Sequence, residues 1–330
     1  MSAEEDPSQR GAPGPGGVLR LALLALLWPT LYLLLARYGV LALPVSLARR
    51  LDLQSYLTLV QLTTVGLGLL LAGALMGGVR APLGLGRASP LGLACAALLA
   101  PALYVASSML AIELALPTLL DELARGGTEL AERSTGELGR SLVATPAALV
   151  LLWGAVVSPI SEELMFRGAV WSAVQRLVRW LTGRGRGGER SPAPSWLEPG
   201  PLLRVSRAAG RFLRDGGVAT LASAALFAWM HADRPGGLGI VRVASAAGLG
   251  VGCGLARQWS GSLLAALALH VSYNTLSIAT TRRWVVTEGF PLRRGIPTLL
   301  ELVALVGLAL AGGLCLAVMR QRRAGRSLLR

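Results

Sequence analysis

Ionisable side chains stranded in long apolar stretches are the residues of this sequence most able to do chemistry, because burying a charge costs free energy that pairing or function must offset. Three clusters stand out: Ser161-Glu162-Glu163-Leu164-Met165-Phe166-Arg167, Phe227-Ala228-Trp229-Met230-His231 and His270-Val271-Ser272-Tyr273-Asn274. On a helix, Glu163 and Arg167 are four apart in the acidic-then-basic order that favours a same-face ion pair. Glu162 is turned about 100° away and cannot share that partner equally. The spacing therefore divides the labour: Glu163 is neutralised by Arg167, and Glu162 is free to face a cavity as a general base. His270 and Asn274, also four apart, can point at one spot and donate to a developing oxyanion. His231 could join Glu162 in positioning and deprotonating water. The chain has 2 histidines, and both lie in such clusters.

The elements that must position these groups are membrane helices. The chain has 330 residues, 53% hydrophobic and 15% charged, whereas a soluble domain carries about 25% charged residues. Its apolar residues come in blocks of about 20, enough to cross a hydrocarbon core about 30 Å thick. Blocks at about 21–43, 55–79, 91–116, 141–165, 217–232, 238–257, 261–280 and 297–319 predict an all-α, polytopic transmembrane bundle of about eight spans. The organisation reads as a disordered tail (1–17), N-terminal transmembrane helices (18–120), a catalytic core (141–280) with a basic cytoplasmic insertion (183–215), a last transmembrane helix (297–319) and a basic tail (320–330).

The fourth block runs on from Ser141 to Leu181, about 60 Å if helical, and so must bend or leave the membrane. Ser158-Pro159 is the expected break, since proline cannot donate to the preceding turn. Beyond it, Trp171, Val174, Leu177, Val178 and Leu181 form one apolar stripe, suited to a helix lying along the interface. Within the insertion Arg204, Arg207, Arg211 and Arg214 recur at helical spacing, as a second interfacial helix or a solvated basic loop would have them. Gly248/Gly252 and Gly250/Gly254 have the small-xxx-small spacing that lets helices approach closely.

The net charge of +14 comes from arginine between apolar blocks, which fits membrane orientation and not nucleic-acid binding. The arginine balance places both termini and the insertion in the cytoplasm, with Arg49, Arg50, Arg282 and Arg283 opposed. Cys95, Cys253 and Cys315 lie in separate apolar blocks and read as small buried hydrophobes.

EExxxR (Glu162, Glu163, Arg167), FxxxH (Phe227, His231) and HxxxN (His270, Asn274), in that order on separate helices, resemble the motifs of the CPBP/Abi intramembrane proteases. That family includes the eukaryotic endopeptidases that remove the last three residues of prenylated CAAX proteins. Gly261-Ser262-Leu263-Leu264 also looks like the family's stretch before its last motif, and the likeness covers about residues 141–280. The resemblance implies a helical bundle around an intramembrane cavity. In it Glu162 would be the base, His231 its partner, His270 and Asn274 the oxyanion donors, and Glu163 with Arg167 the architecture. The expected substrate is a peptide or membrane protein, lipidated or not, in contact with membrane lipids and in a bacterial cytoplasmic membrane.

Two histidines and a glutamate (Glu162, His231, His270) could hold zinc, but HExxH is missing, so a metal-free site without cofactor is favoured and zinc is the alternative. A non-catalytic immunity or scaffold protein of the same fold would work without Glu162. A transporter would use the break at Pro159 and show an internal repeat, and none is evident.

Overall fold

The computed structural model describes residues 15–48, 51, 53–125, 145–182, 212, 216–282, 284 and 299–323. Most of the expected tail at 1–17 and insertion at 183–215, with its arginine helix, lies outside them, as do residues 126–140 and 324–330.

Eight helices longer than ten residues occur among the described residues: α1 Pro15–Tyr38, α2 Leu53–Met76, α3 Pro90–Ala124, α4 Ala147–Leu181, α5 Val218–Met230, α6 Gly236–Ser260, α7 Leu263–Thr281 and α8 Leu299–Arg323. Six stretches are long and apolar enough to cross a membrane: Pro15–Ala42, Ser55–Met76, Pro90–Ala124, Ala147–Leu181, Gly236–Ser260 and Leu263–Thr281. The expected count of eight spans is thus not confirmed. The α5 helix has 13 residues, about 20 Å of rise, and the apolar stretch described in α8 is Glu301–Gly313. The protein is an all-α polytopic membrane bundle with large apolar side chains, such as Leu26, Leu70 and Leu305, exposed on its outside.

The expected break at Pro159 does not occur. The α4 helix runs through it, with a π-helical stretch on either side, Leu151–Val157 and Leu164–Val170, of the α-helical turns Ser158–Glu163. Wider π turns shift the hydrogen-bond register by one residue, and this is how the helix accommodates a proline with no N–H to give. At 35 residues, about 50 Å, α4 still exceeds one bilayer crossing. Its last stretch, Trp171–Leu181, buries Trp171, Ala173 and Gln175 and exposes Leu177, Trp180 and Leu181.

Helix α6 is the axis of the core, packed against α3, α5 and α7. Its glycines make that possible on two faces. A Cβ at Gly248 or Gly252 would come within 2.7 Å of Ser107 or 2.4 Å of Leu103 on α3. One at Gly250 or Gly254 would meet Ala224 at 3.0 Å or Thr220 at 2.6 Å on α5. Helix α6 ends at Gly261, whose φ of 70° is the left-handed conformation that suits glycine at a helix C-terminus. Ser262 then caps α7, its Oγ accepting from the Leu264 N–H at 3.2 Å and donating to the Gly86 carbonyl at 2.7 Å. The Gly261-Ser262-Leu263-Leu264 stretch is therefore the corner that aims α7, and its His270, back into the bundle.

Candidate active site

Helix α4 contributes Ser158, Glu162, Glu163 and Arg167, α5 ends in His231, and α7 carries His270 and Asn274. Glu163 and Arg167 meet in a fully buried pair: Arg167 Nη1 donates to Glu163 Oε1 at 2.9 Å. The other end of the guanidinium donates to the Gly250 carbonyl at 2.9 Å, and its Cζ lies 4.7 Å from the Phe227 ring centroid. The glycines of α6 thus serve the site as well as the packing, since the open backbone at Gly250 admits the arginine.

His270 bridges the two glutamates. Its Nδ1 is 2.7 Å from Glu163 Oε1, and its Nε2 is 3.6 Å from Glu162 Oε2. A carboxylate can only accept, so Nδ1 carries the hydrogen, and Nε2 is the ring atom that faces Glu162. Glu162 keeps 15% of its side chain exposed whereas Glu163 keeps 1%. Ser158 Oγ donates to Glu162 Oε1 at 2.6 Å.

His231, the expected partner of Glu162, makes its contacts with Phe227. It ends α5, with Nδ1 2.8 Å from the Phe227 carbonyl, and its ring packs on Phe227 at 4.5 Å. The Phe227 ring also lies 5.8 Å from His270, so the two histidines flank it. Among the described residues the histidine within 4.0 Å of Glu162 is His270. Helix termination explains the Phe227 contact: the last carbonyls of α5 need donors, and the His231 ring is at hand.

Asn274 is likewise engaged. Its Nδ2 donates to the Gly154 carbonyl at 2.8 Å. That carbonyl is orphaned by the π turn, because the Ser158 N–H is drawn to Trp153 O and the next residue, Pro159, has no N–H. Replacing Asn274 by alanine is expected to cost about 1 kcal/mol, the net contribution of one hydrogen bond, here to a part-buried carbonyl. Adding Pro159→Ala supplies a backbone N–H and is expected to recover most of the loss, as thermal unfolding in detergent would report. A double variant no more stable than Asn274→Ala would contradict this account.

The site also takes in a cysteine that sequence reasoning missed. Cys253, read there as a packed hydrophobe, lies with Glu163 and His270 in a buried trio whose potential ligand atoms are all within 4.8 Å of one another. The zinc set expected from sequence was Glu162, His231 and His270; the trio brought within ligating distance among the described residues is Glu163, Cys253 and His270. The only signal in the sequence was periodicity, Cys253 lying on the α6 face that includes Gly250. Carboxylate, thiol and imidazole are donors that zinc accepts, and Glu163 Oε2 is a buried oxygen with no hydrogen-bond partner by geometry among the described residues. Glu162 and Glu163 against Arg167 also leave an excess negative charge when all are ionised, which favours a cation nearby. The trio could therefore coordinate a metal ion.

The family model for type II CAAX prenyl endopeptidase Rce1-like proteins matches residues 144–276, which takes in all three motif clusters. No curated protein and no solved structure matches the chain. The chain is thus a multi-helix membrane protein in which a segment similar to the Rce1-like CAAX endopeptidase family, residues 144–276, carries a buried Glu-Cys-His cluster.

Proposed function

We propose that the chain is an intramembrane endopeptidase that hydrolyses a peptide bond of a peptide or membrane protein, with lipidated C-terminal tails as the first substrates to try. The observation that carries the reading is the arrangement of Glu162 beside His270, the one partly open carboxylate of the site next to a ring held by Glu163 and Arg167. Glu162 takes the proton of the attacking water and returns it to the leaving amine. His270, with Nδ1 fixed, offers Nε2 to the same water and so limits its orientations.

The Glu163, Cys253 and His270 donors support a zinc-dependent version of this protease better than the metal-free one favoured from sequence. When bound, zinc would supply a Lewis acid and a more acidic water. Glu163 would then hold Arg167 through Oε1 while Oε2 remained available, so the pair with Arg167 and a role in metal binding are compatible.

The test is cleavage of fluorogenic lipidated and unlipidated peptides by detergent-purified protein, with zinc analysis before and after chelation. The expected result is stoichiometric zinc and activity lost to chelator, with Cys253→Ala losing the zinc. Full activity after chelation, with no metal retained, would return the reading to the metal-free mechanism. A biological effect that survives Glu162→Ala would instead favour a non-catalytic relative.

A further inference from the structure

The contacts of Glu162 lead out of the matched segment and into the N-terminal helices. Gln61 of α2 is buried, and its Nε2 donates to Ser158 Oγ at 2.8 Å. Ser158, one helical turn before Glu162, donates in turn to Glu162 Oε1 at 2.6 Å. The direction of this chain is fixed by valence. A carboxylate only accepts, so the single Ser158 proton goes to Glu162. With that proton spent, Ser158 can only accept from Gln61, and this sets the Gln61 amide with its nitrogen towards the hydroxyl.

We infer that Gln61 and Ser158 are positioning residues of the reaction, a directed relay that occupies Glu162 Oε1 and leaves Oε2 as the atom that handles the proton. The inference rests on the proposed role of Glu162 as base. Two observations support it beyond the distances. The oxygen not held by Ser158 is the one that faces His270 Nε2, at 3.6 Å. Both relay side chains are shut off from the surface, at 3% exposure for Gln61 and 8% for Ser158, so water cannot readily stand in for a lost donor. A side chain held at one oxygen by a charge-assisted hydrogen bond keeps one rotamer, and a base that keeps one rotamer spends more of its time in reach of the substrate water. Gln61 lies well outside residues 144–276, so the relay makes α2 a part of the active site and not merely a membrane anchor.

The experiment is steady-state kinetics of the full-length chain in detergent on a peptide that it cleaves, for Gln61→Leu, Ser158→Ala, Ser158→Thr, the double variant Gln61→Leu/Ser158→Ala, and Glu162→Gln. The expected result is a fall in kcat of about 10- to 100-fold for Ser158→Ala, the range of one hydrogen bond to a charged group, with KM little changed. Gln61→Leu is expected to lose less, and nothing further once Ser158 is alanine, because it acts through that hydroxyl. Ser158→Thr keeps the hydroxyl and is expected to retain most of the rate. Additive losses in the double variant, losses confined to KM, or equal losses in Ser158→Thr and Ser158→Ala would overturn the relay. Thermal unfolding of each variant separates these outcomes from simple loss of fold. If Glu162→Gln is inactive while Gln61→Leu and Ser158→Ala keep full kcat, the relay alone fails; if Glu162→Gln is active, the base assignment itself fails.

Discussion

Glu162→Gln is expected to lower kcat/KM by about two to four orders of magnitude, the usual contribution of a positioned general base. The substitution keeps the shape of the side chain and an oxygen to accept from Ser158, so the hydrogen bond at 2.6 Å can persist. What it removes is the capacity to take a proton beside His270. Glu162 is the partly open member of the pair, and loss of its charge leaves no buried cation unpaired, since Arg167 is held by Glu163. Its thermal unfolding midpoint in detergent is therefore expected to stay close to that of the unsubstituted protein. Together the two readouts distinguish chemistry from architecture: activity falls steeply while stability does not. More than a tenth of the activity remaining in Glu162→Gln, on any substrate the chain cleaves, would remove Glu162 from the role of base.

The parts of this site legible in sequence are those that local geometry determines. Helical spacing alone puts Glu163 and Arg167 in contact and turns Glu162 away, and the structure shows a buried pair with a partly open neighbour. The glycine pairs of α6 were legible for the same reason, because a period of four residues fixes a face regardless of what lies opposite. What depends on long-range packing was not legible. Cys253 meets Glu163 and His270 only because α6, α4 and α7 converge, and nothing in the sequence around Cys253 carries that information. Gln61 reaches Ser158 across 97 positions of chain, and a single polar residue in an apolar block does not announce its partner. Pro159 failed as a predictor of a break for a subtler reason. The proline rule concerns an α-helical register, and α4 leaves that register on both sides of Ser158–Glu163. The carbonyl so orphaned, at Gly154, is satisfied by Asn274 from a different helix, which the motif spacing had read as a site residue alone.

Arg167→Met is expected to destabilise the bundle by about 3–5 kcal/mol, the penalty for removing one partner of a buried ion pair. Methionine fills much of the arginine's volume, so the loss arises from charge and hydrogen bonding more than from a cavity. Glu163 would be left with His270 as its remaining partner at Oε1, in a core where its other oxygen already has none by geometry among the described residues. The Gly250 carbonyl would lose its side-chain donor as well. Combining Glu163→Leu with Arg167→Met removes both charges, and replacement of a buried pair by apolar groups of similar size is often close to neutral. The double variant is therefore expected to unfold near the temperature of the unsubstituted chain and well above Arg167→Met. It is not expected to regain activity, because His270 Nδ1 then has no carboxylate to hold it and Nε2 is no longer aimed at Glu162. Stability restored without activity would establish the pair as the support of the histidine as well as of the fold. Equal stability in the single and double variants would show instead that the pair contributes little, and that the packing of Phe166, Phe227 and the α6 glycines carries the site unaided.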